Sequence, residues 1–229
     1  MAGALVKLGQ AWGWYQAKLA QSPVRTQMIT SGVLWAAGDY CAQSISRDIG
    51  RRQVVKKGLV AVDSEKKVVE STDWKRVALA SSFGVGFVGP IGHLWYEGLE
   101  TFVMKGLKLR VNSVSFIATK VACDVLVFGP IHLLAFFSYM GLMSGVPWAT
   151  VKRDVERDFI PTYMTEGLGW GVVQVANFRL IPVRHQLLYV NVFCLLDSAF
   201  LSWVKHQDDA PWKRYLTSLV SKKPTSTAS

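Results

Sequence analysis

Four stretches of the chain are apolar for long enough, or nearly long enough, to cross a bilayer. They run over about Thr26–Ser46, Val77–Tyr96, Ser115–Ser144 and His185–Val204. Only helices and closed barrels satisfy their backbone groups inside lipid, and these runs are too long and too poorly alternating for barrel strands. The pattern therefore predicts an all-α fold, a multi-pass transmembrane helical bundle with four spans. Ser22-Pro23 supplies a helix start before the first run. Val77–Tyr96 contains no Lys, Arg, Asp or Glu and meets the span requirement of about 20 residues. A further uncharged stretch, Gly167–Phe178, is short for a span. It reads either as an interfacial or re-entrant helix or as part of a tilted span beginning near Phe159. Four spans, or five helices with a tilted or re-entrant segment near 159–181, thus both stay open. Its Gly167-x-Gly169-x-Gly171 pattern points to close helix packing. The predicted organisation is one membrane-embedded domain over 1–220, with a hydrophilic connection over 47–76 and a disordered tail over 221–229.

The apolar runs are not clean. Asp39, His93, Asp124 with His132, and Asp197 lie inside them. A charge at the bilayer centre costs roughly 2.5–3.5 kcal/mol on insertion scales, which a mere anchor has no reason to bear. A polar bundle interior follows. In the second run Ser82, Gly86, Gly89, His93 and Glu97 fall on one helix face. Small residues at one end of that face admit a neighbouring backbone, while its polar end needs partners or water. Pro90 removes a backbone hydrogen bond and crowds the Gly86 carbonyl, so a kink is expected there. Gly89-Pro90 followed by His93 is echoed in the next run by Gly129-Pro130 followed by His132, and paired broken helices point to sites in transporters. Asp39 and Gln43 are four residues apart and share a face with Gly32 and Trp35. Lys120 and Asp124, also four apart, predict an intrahelical ion pair. Asp197 has no base nearby in sequence, and Asn191, Ser198 and Ser202 form a mild polar face beside it.

Composition narrows the classes. Half of the 229 residues are hydrophobic, and 18% are charged, against about a quarter in soluble domains. The net charge of +10 is spread over the segments between runs: three basic residues up to Arg25, nine from Arg47 to Arg76 and five from Lys205 onward. That distribution suits anionic lipid better than nucleic acid, for which no groove-reading motif appears. The basic excess on the two sides of a four-span bundle is too even to set orientation. Cys41, Cys123 and Cys194 lie in separate runs as small hydrophobes. His93, His132, His185 and His206 lack metal-ligand spacing, and no cofactor motif appears. Gly38-Asp39 is only a fragment of an intramembrane aspartyl-protease context, so no enzyme is expected.

In order along the chain stand Trp14-Tyr15, Pro23, Gly38-Asp39 with Gln43, Asp73 with Arg76, Gly89-Pro90, His93, Trp95-Tyr96, Lys120 with Asp124, Pro130, Trp170, Gln174, Asn177-Phe178, Pro182 and Asn191. In order and spacing this set resembles the twenty-two-kilodalton peroxisomal membrane protein family, which includes mitochondrial inner-membrane Mpv17-type members. The resemblance covers nearly the whole chain outside 47–72 and the tail. Val125, Gly171, Gln186 and Asp197 stand where the family usually has Gln, Pro, Arg and Trp, and Gln186–Trp203 looks similar to plant members. The resemblance implies four transmembrane helices, no enzymatic activity and, for some members, weakly selective channels and oligomers. The expectation is therefore an organelle membrane protein forming or contributing to a pore for small solutes, with lipid, small solutes and further copies of itself as partners. Its polar interior would draw on Asp39, Gln43, His93, Glu97, Asp124, Asn191 and Asp197, with kinks and packing at Gly86, Gly89, Pro90, Gly129 and Pro130. The alternative is a non-conducting structural or interaction protein. The peroxisomal membrane is the first expected location, the mitochondrial inner membrane the second and plastids the third.

Overall fold

The computed structural model describes residues 2–56 and 71–205, and among them every long element is helical. Six continuous rods follow one another: α1 (Ala2–Gln21), α2 (Pro23–Lys56), α3 (74–106), α4 (114–143), α5 (Trp148–Leu180) and α6 (Val183–Lys205). Their boundaries follow from local chemistry. Ser22 and Pro23 separate α1 from α2, with Pro23 at the first helical position, where its missing N–H costs nothing. The Asp73 carboxylate accepts from the Arg76 N–H and caps α3; the Ser113 hydroxyl accepts from the Phe116 N–H and caps α4. Gly145 takes φ +90° at the end of α4, a conformation that favours glycine. Pro147 and Pro182 stand just before α5 and α6.

α3 and α4 are long and apolar enough to cross a membrane, with mean hydropathies of 1.4 and 1.9 over their most apolar windows. Thirty-three residues make about 50 Å of helix, more than the hydrocarbon core of about 30 Å. Only 11% of the apolar window of α4 is buried inside the bundle. A core helix of a soluble protein with this composition would be mostly covered, so α4 presents its apolar surface outward.

The Gly-Pro repeat has a structural counterpart. Immediately before Gly89-Pro90, residues Gly84–Val88 form a π turn, and the Gly89 N–H reaches the Gly84 carbonyl. Immediately before Gly129-Pro130, Asp124–Phe128 do the same, and the Gly129 N–H reaches Asp124. Each proline removes one donor and crowds the carbonyl four residues back, and the ladder widens by one residue to absorb it. The two sharp kinks expected from sequence are therefore π bulges.

The core gathers Phe83, Val88, Tyr96, Leu99 and Val103 from α3, Phe116 and Ile117 from α4, Phe178 from α5 and Leu187 from α6. α2 crosses α3 backbone to backbone. A Cβ on Gly84 would lie 2.8 Å from the Ser31 carbonyl oxygen, and one on Gly89 would lie 2.5 Å from Met28 Cα. Gly86 differs from the packing role predicted for it. It is exposed, and a Cβ there would meet nothing within 4 Å. The π turn rotates the face, so that Gly84 and Gly89 meet α2 and Gly86 points away. Two further expectations change. The hydrophilic connection does not begin at residue 47, because α2 continues as helix to Lys56; Arg47 there donates to Thr72 Oγ1 and Ser44 Oγ. Residues 57–70 of that connection, and the tail at 221–229, lie outside the described residues. The segment near 159–181 is not a separate re-entrant piece, since Trp148–Leu180 is one helix. A Cβ on Gly167, Gly169 or Gly171 would meet nothing within 4 Å, so these glycines mark no close helix approach.

Candidate functional site

Two cavities with wall residues in common lie in the bundle. The first, a vestibule of about 550 Å³, opens where the C-terminal half of α2 meets the start of α3. Asp39 sits in it with 10% of its side chain exposed and receives Arg76 Nε at 2.9 Å. Gln43 donates to the other carboxylate oxygen of Asp39 at 2.7 Å. The same Gln43 amide also exchanges two bonds with the Asp73 backbone, donating to its carbonyl and accepting from its N–H. Asp39 and Gln43 thus meet as expected from their spacing. They fasten α2 to the N-terminus of α3 and give the vestibule a neutralised acid with a half-exposed guanidinium beside it.

Deeper in, a chamber of about 290 Å³ lies among α2–α6. Its walls are largely apolar, with several aromatic rings, and Asp124, His132, Gln174 and Asp197 face it. Asp124 is buried with both oxygens engaged: Trp95 Nε1 donates at 2.8 Å and Gln174 Nε2 at 2.6 Å. Gln174 also donates to the Tyr96 hydroxyl at 3.0 Å and accepts from Asn177 Nδ2 at 2.8 Å. α3, α4 and α5 are therefore joined through one carboxylate. A buried carboxylate without such donors is prohibitively costly. His132 lies among the rings of Trp35, Phe83 and Phe128, at 5.7–6.0 Å from each.

The vestibule and chamber share Trp35, Phe136, Cys194 and Ser198 in their walls. Trp35 and Phe136 face one another with centroids 5.6 Å apart. Asn191, fully buried, holds that neck. Its Oδ1 accepts from Trp35 Nε1 at 3.1 Å, and its Nδ2 donates to Ser31 Oγ at 2.8 Å. Asn191 thus belongs to the interior as predicted, as the group that sets the indole rather than as a wall.

The predicted Lys120–Asp124 pair does not form. Lys120 Nζ turns instead to Glu100 Oε2 at 2.6 Å and Gln186 Oε1 at 3.3 Å, with the Phe178 ring 4.4 Å away. Glu100 is partly exposed and so offers a carboxylate that keeps contact with its surroundings, whereas the Asp124 oxygens are filled by Trp95 and Gln174. His93 and Glu97 are half-buried, line neither cavity and hydrogen-bond to no described residue. Asp197 does line the chamber, and no hydrogen bond or ion pair joins it to another described residue. Among the described residues no three His, Cys, Asp or Glu side chains converge as metal ligands.

Arg76, Trp95, Glu100 and Gln174 were not singled out as interior residues from the sequence. Arg76 and Glu100 lie at the ends of the apolar run, where a charge looks like a boundary. Gln174 and Asn177, three apart in an otherwise apolar stretch, carried the signal of a buried polar face.

A family model of the Mpv17 / PMP22 family matches residues 141–202. Protein SYM1 of Gibberella zeae is 30% identical over 195 residues, covering 85% of this chain and 97% of that protein. The chain belongs to the Mpv17 / PMP22 family. Among other family members, the mitochondrial inner membrane protein Mpv17 of Rattus norvegicus is 30% identical over 86% of this chain and 98% of its own length. The protein of the same name from Danio rerio is 29% identical over 84% and 95%. These relatives are fungal and animal, so the likeness to plant members of the family stays a matter of the sequence around Gln186–Trp203. No solved structure matches the chain.

Proposed function

We propose that this chain forms, or contributes to, a weakly selective pore for small solutes in the mitochondrial inner membrane. The location follows the names of the animal relatives. The peroxisomal membrane, the first expectation from sequence, has no counterpart in those names. In this reading α2 and α6 join α3 and α4 as the four spans, and further copies of the chain join it in the bilayer. The charged first half of α5 stays in water, where Lys152 pairs with Glu156 and Arg157 with Asp154 and Asp158. The observation that supports conduction is the shared wall of vestibule and chamber at Trp35, Phe136, Cys194 and Ser198. Solutes would pass from the Asp39–Arg76 mouth, past the indole, to an acid-lined interior, filtered by side-chain charge without a chemical step. The purified protein in planar bilayers is expected to give discrete conductance events; silence at every voltage and oligomeric state would sink the pore.

A second reading rests on the bonds just described. Asp39, Lys120, Asp124 and Asn191 all have partners on neighbouring helices, which is how a non-conducting structural protein would use them. Asp39→Asn and Asp124→Asn separate the two. A pore changes its ion preference in a folded protein, while interhelical glue loses stability and leaves permeability untouched.

A further inference from the structure

The chamber holds an acid that the bundle does not use. Asp124 satisfies Trp95 and Gln174, and Asp39 satisfies Arg76 and Gln43. Asp197, half-buried on α6, faces the chamber with no described partner. An ionised carboxylate in a span is kept only where hydrogen-bond donors, a cation or water meet it, and no described donor meets Asp197. The described lining residues include Asp124 and Asp197 and no Lys or Arg, so the chamber carries one sign of charge. Its remaining surface is mainly apolar and includes the rings of Trp35, Tyr96, Phe128, Tyr163 and Trp170.

We infer that this chamber is a binding site for small organic cations, ammonium ions that carry an apolar or aromatic group, with Asp197 as the counter-ion. Each property of the cavity selects that class. Two carboxylates, with no Lys or Arg among the described lining residues and His132 enclosed by aromatic rings, repel anions, which excludes carboxylate and phosphate solutes from resting there. Aromatic faces attract weakly hydrated organic cations through their quadrupoles, whereas a strongly hydrated alkali ion gains little from shedding water against rings. A hard divalent ion needs a set of oxygen ligands, and no such cluster converges among the described residues. A volume of about 290 Å³ lies at the small end of ligand pockets, which suits an amine and not a nucleotide. The two functions of the ligand have separate hosts: Asp197 for the ammonium, and the walls around Phe128, Tyr163 and Trp170 for the apolar group. Asp124 adds to the field without giving up its hydrogen bonds. The inference depends on the proposed path only for entry, through the neck at Trp35 and Phe136.

The full chain in nanodiscs of zwitterionic lipid, titrated calorimetrically against empty discs, tests this with 2-phenylethylammonium and the oppositely charged 3-phenylpropionate. The cation is expected to bind saturably and the anion not at all. Asp197→Asn should weaken cation binding roughly tenfold or more, the loss that follows removal of one member of a desolvated charge pair. Asp197→Glu should retain most of the affinity, and Trp170→Leu should weaken the cation several-fold with its charge partner intact. Equal binding of the two probes by the unaltered protein overturns the inference, as does unchanged cation affinity in a folded Asp197→Asn protein. Should Asp197→Asn fail to fold, the comparison of the two probes and the Trp170→Leu protein decide the matter. Conductance is read separately in planar bilayers. Saturable cation binding without conductance overturns the pore and keeps the site; conductance without saturable binding overturns the site and keeps the pore.

Discussion

Asp124 illustrates how an ionisable residue is kept inside an apolar bundle. Its two oxygens take an indole N–H from α3 and an amide from α5, so its removal strands two buried donors rather than one charge. Each stranded donor costs about 1–3 kcal/mol. Asp124→Ala is therefore expected to lower unfolding stability by about that amount for each of Trp95 and Gln174, measured by thermal or denaturant unfolding in detergent; an unchanged midpoint would show that the network carries no weight. Lys120 and Glu100 permit a sharper measurement. Lys120 is fully covered and Glu100 only partly, so Lys120→Met alone leaves a carboxylate that can still find water, and Glu100→Gln alone leaves an unmatched buried ammonium. Leaving the buried charge of such a pair without its partner costs about 3–5 kcal/mol. Glu100→Gln should thus be the more damaging single change, and the double variant should recover part of the loss in a double-mutant cycle. Equal single effects that simply add would remove the pair from the account. The sequence pointed to the right residues here and to the wrong partners. Spacing along one helix showed that Lys120 and Asp124 could touch, but the choice was made by Glu100, Gln186, Trp95 and Gln174, which arrive from other helices and have no sequence-local trace.

At the scale of elements, what could be read and what could not divide along physical lines. Hydropathy marks apolar surface, and of the four runs that it marks, those in α3 and α4 lie in helices long and apolar enough to cross a membrane. It does not report helicity, so polar helix at the end of α2 reads as loop, and the 33-residue α5 shows only as a short uncharged segment or a tilted span from near Phe159. In α2, Arg47, just beyond Ser46, donates to Thr72 and Ser44. In α5 the charges near the start pair with one another along the exposed face, where Arg157 holds the Asp158 carboxyl below the usual carboxylate range. The repeated Gly-Pro was legible as a break, but its form as a π bulge was not, since a kink and a widened turn answer the same missing donor. The bulge also decides which glycines pack, and that supports a paired prediction. Gly89→Ala puts a methyl group 2.5 Å from Met28 Cα, against backbone that cannot yield without moving α2. Overpacking of that kind costs about 1–3 kcal/mol. Gly86→Ala meets no atom within 4 Å and gains helix propensity of up to about 1 kcal/mol. The first should lower the thermal midpoint and the second hold or raise it. The reverse order would mean that the face facing α2 has been misassigned.

Across the whole molecule the decisive relation is that the polar mouth and the ring-lined chamber share a boundary. Individual apolar runs with single acids could belong to any packed bundle; the proposed route rests on two cavities that share Trp35, Phe136, Cys194 and Ser198 in their walls. Trp35 is held at that boundary because Asn191 accepts its indole N–H and is itself anchored by donating to Ser31, so the position of the ring is set by a hydrogen-bond chain and not by loose packing. Cys194 places a reactive atom at that boundary, which allows the route to be tested without disturbing any of the acids. With Cys41 and Cys123 replaced by serine, Cys194 becomes the one cysteine of the 229-residue chain. A small, charged, membrane-impermeant thiosulfonate reagent can react only with a thiol that water reaches. If the vestibule is continuous with bulk water as far as the neck, the reagent modifies Cys194 in intact vesicles, and Asn191→Leu, which releases Trp35, accelerates the reaction. The added group then sits between the two cavities and should reduce any conductance in the same preparation. A thiol labelled only after denaturation would place dry packing at the neck. The partnered carboxylates would then be glue, and the non-conducting role would be the better account of the fold.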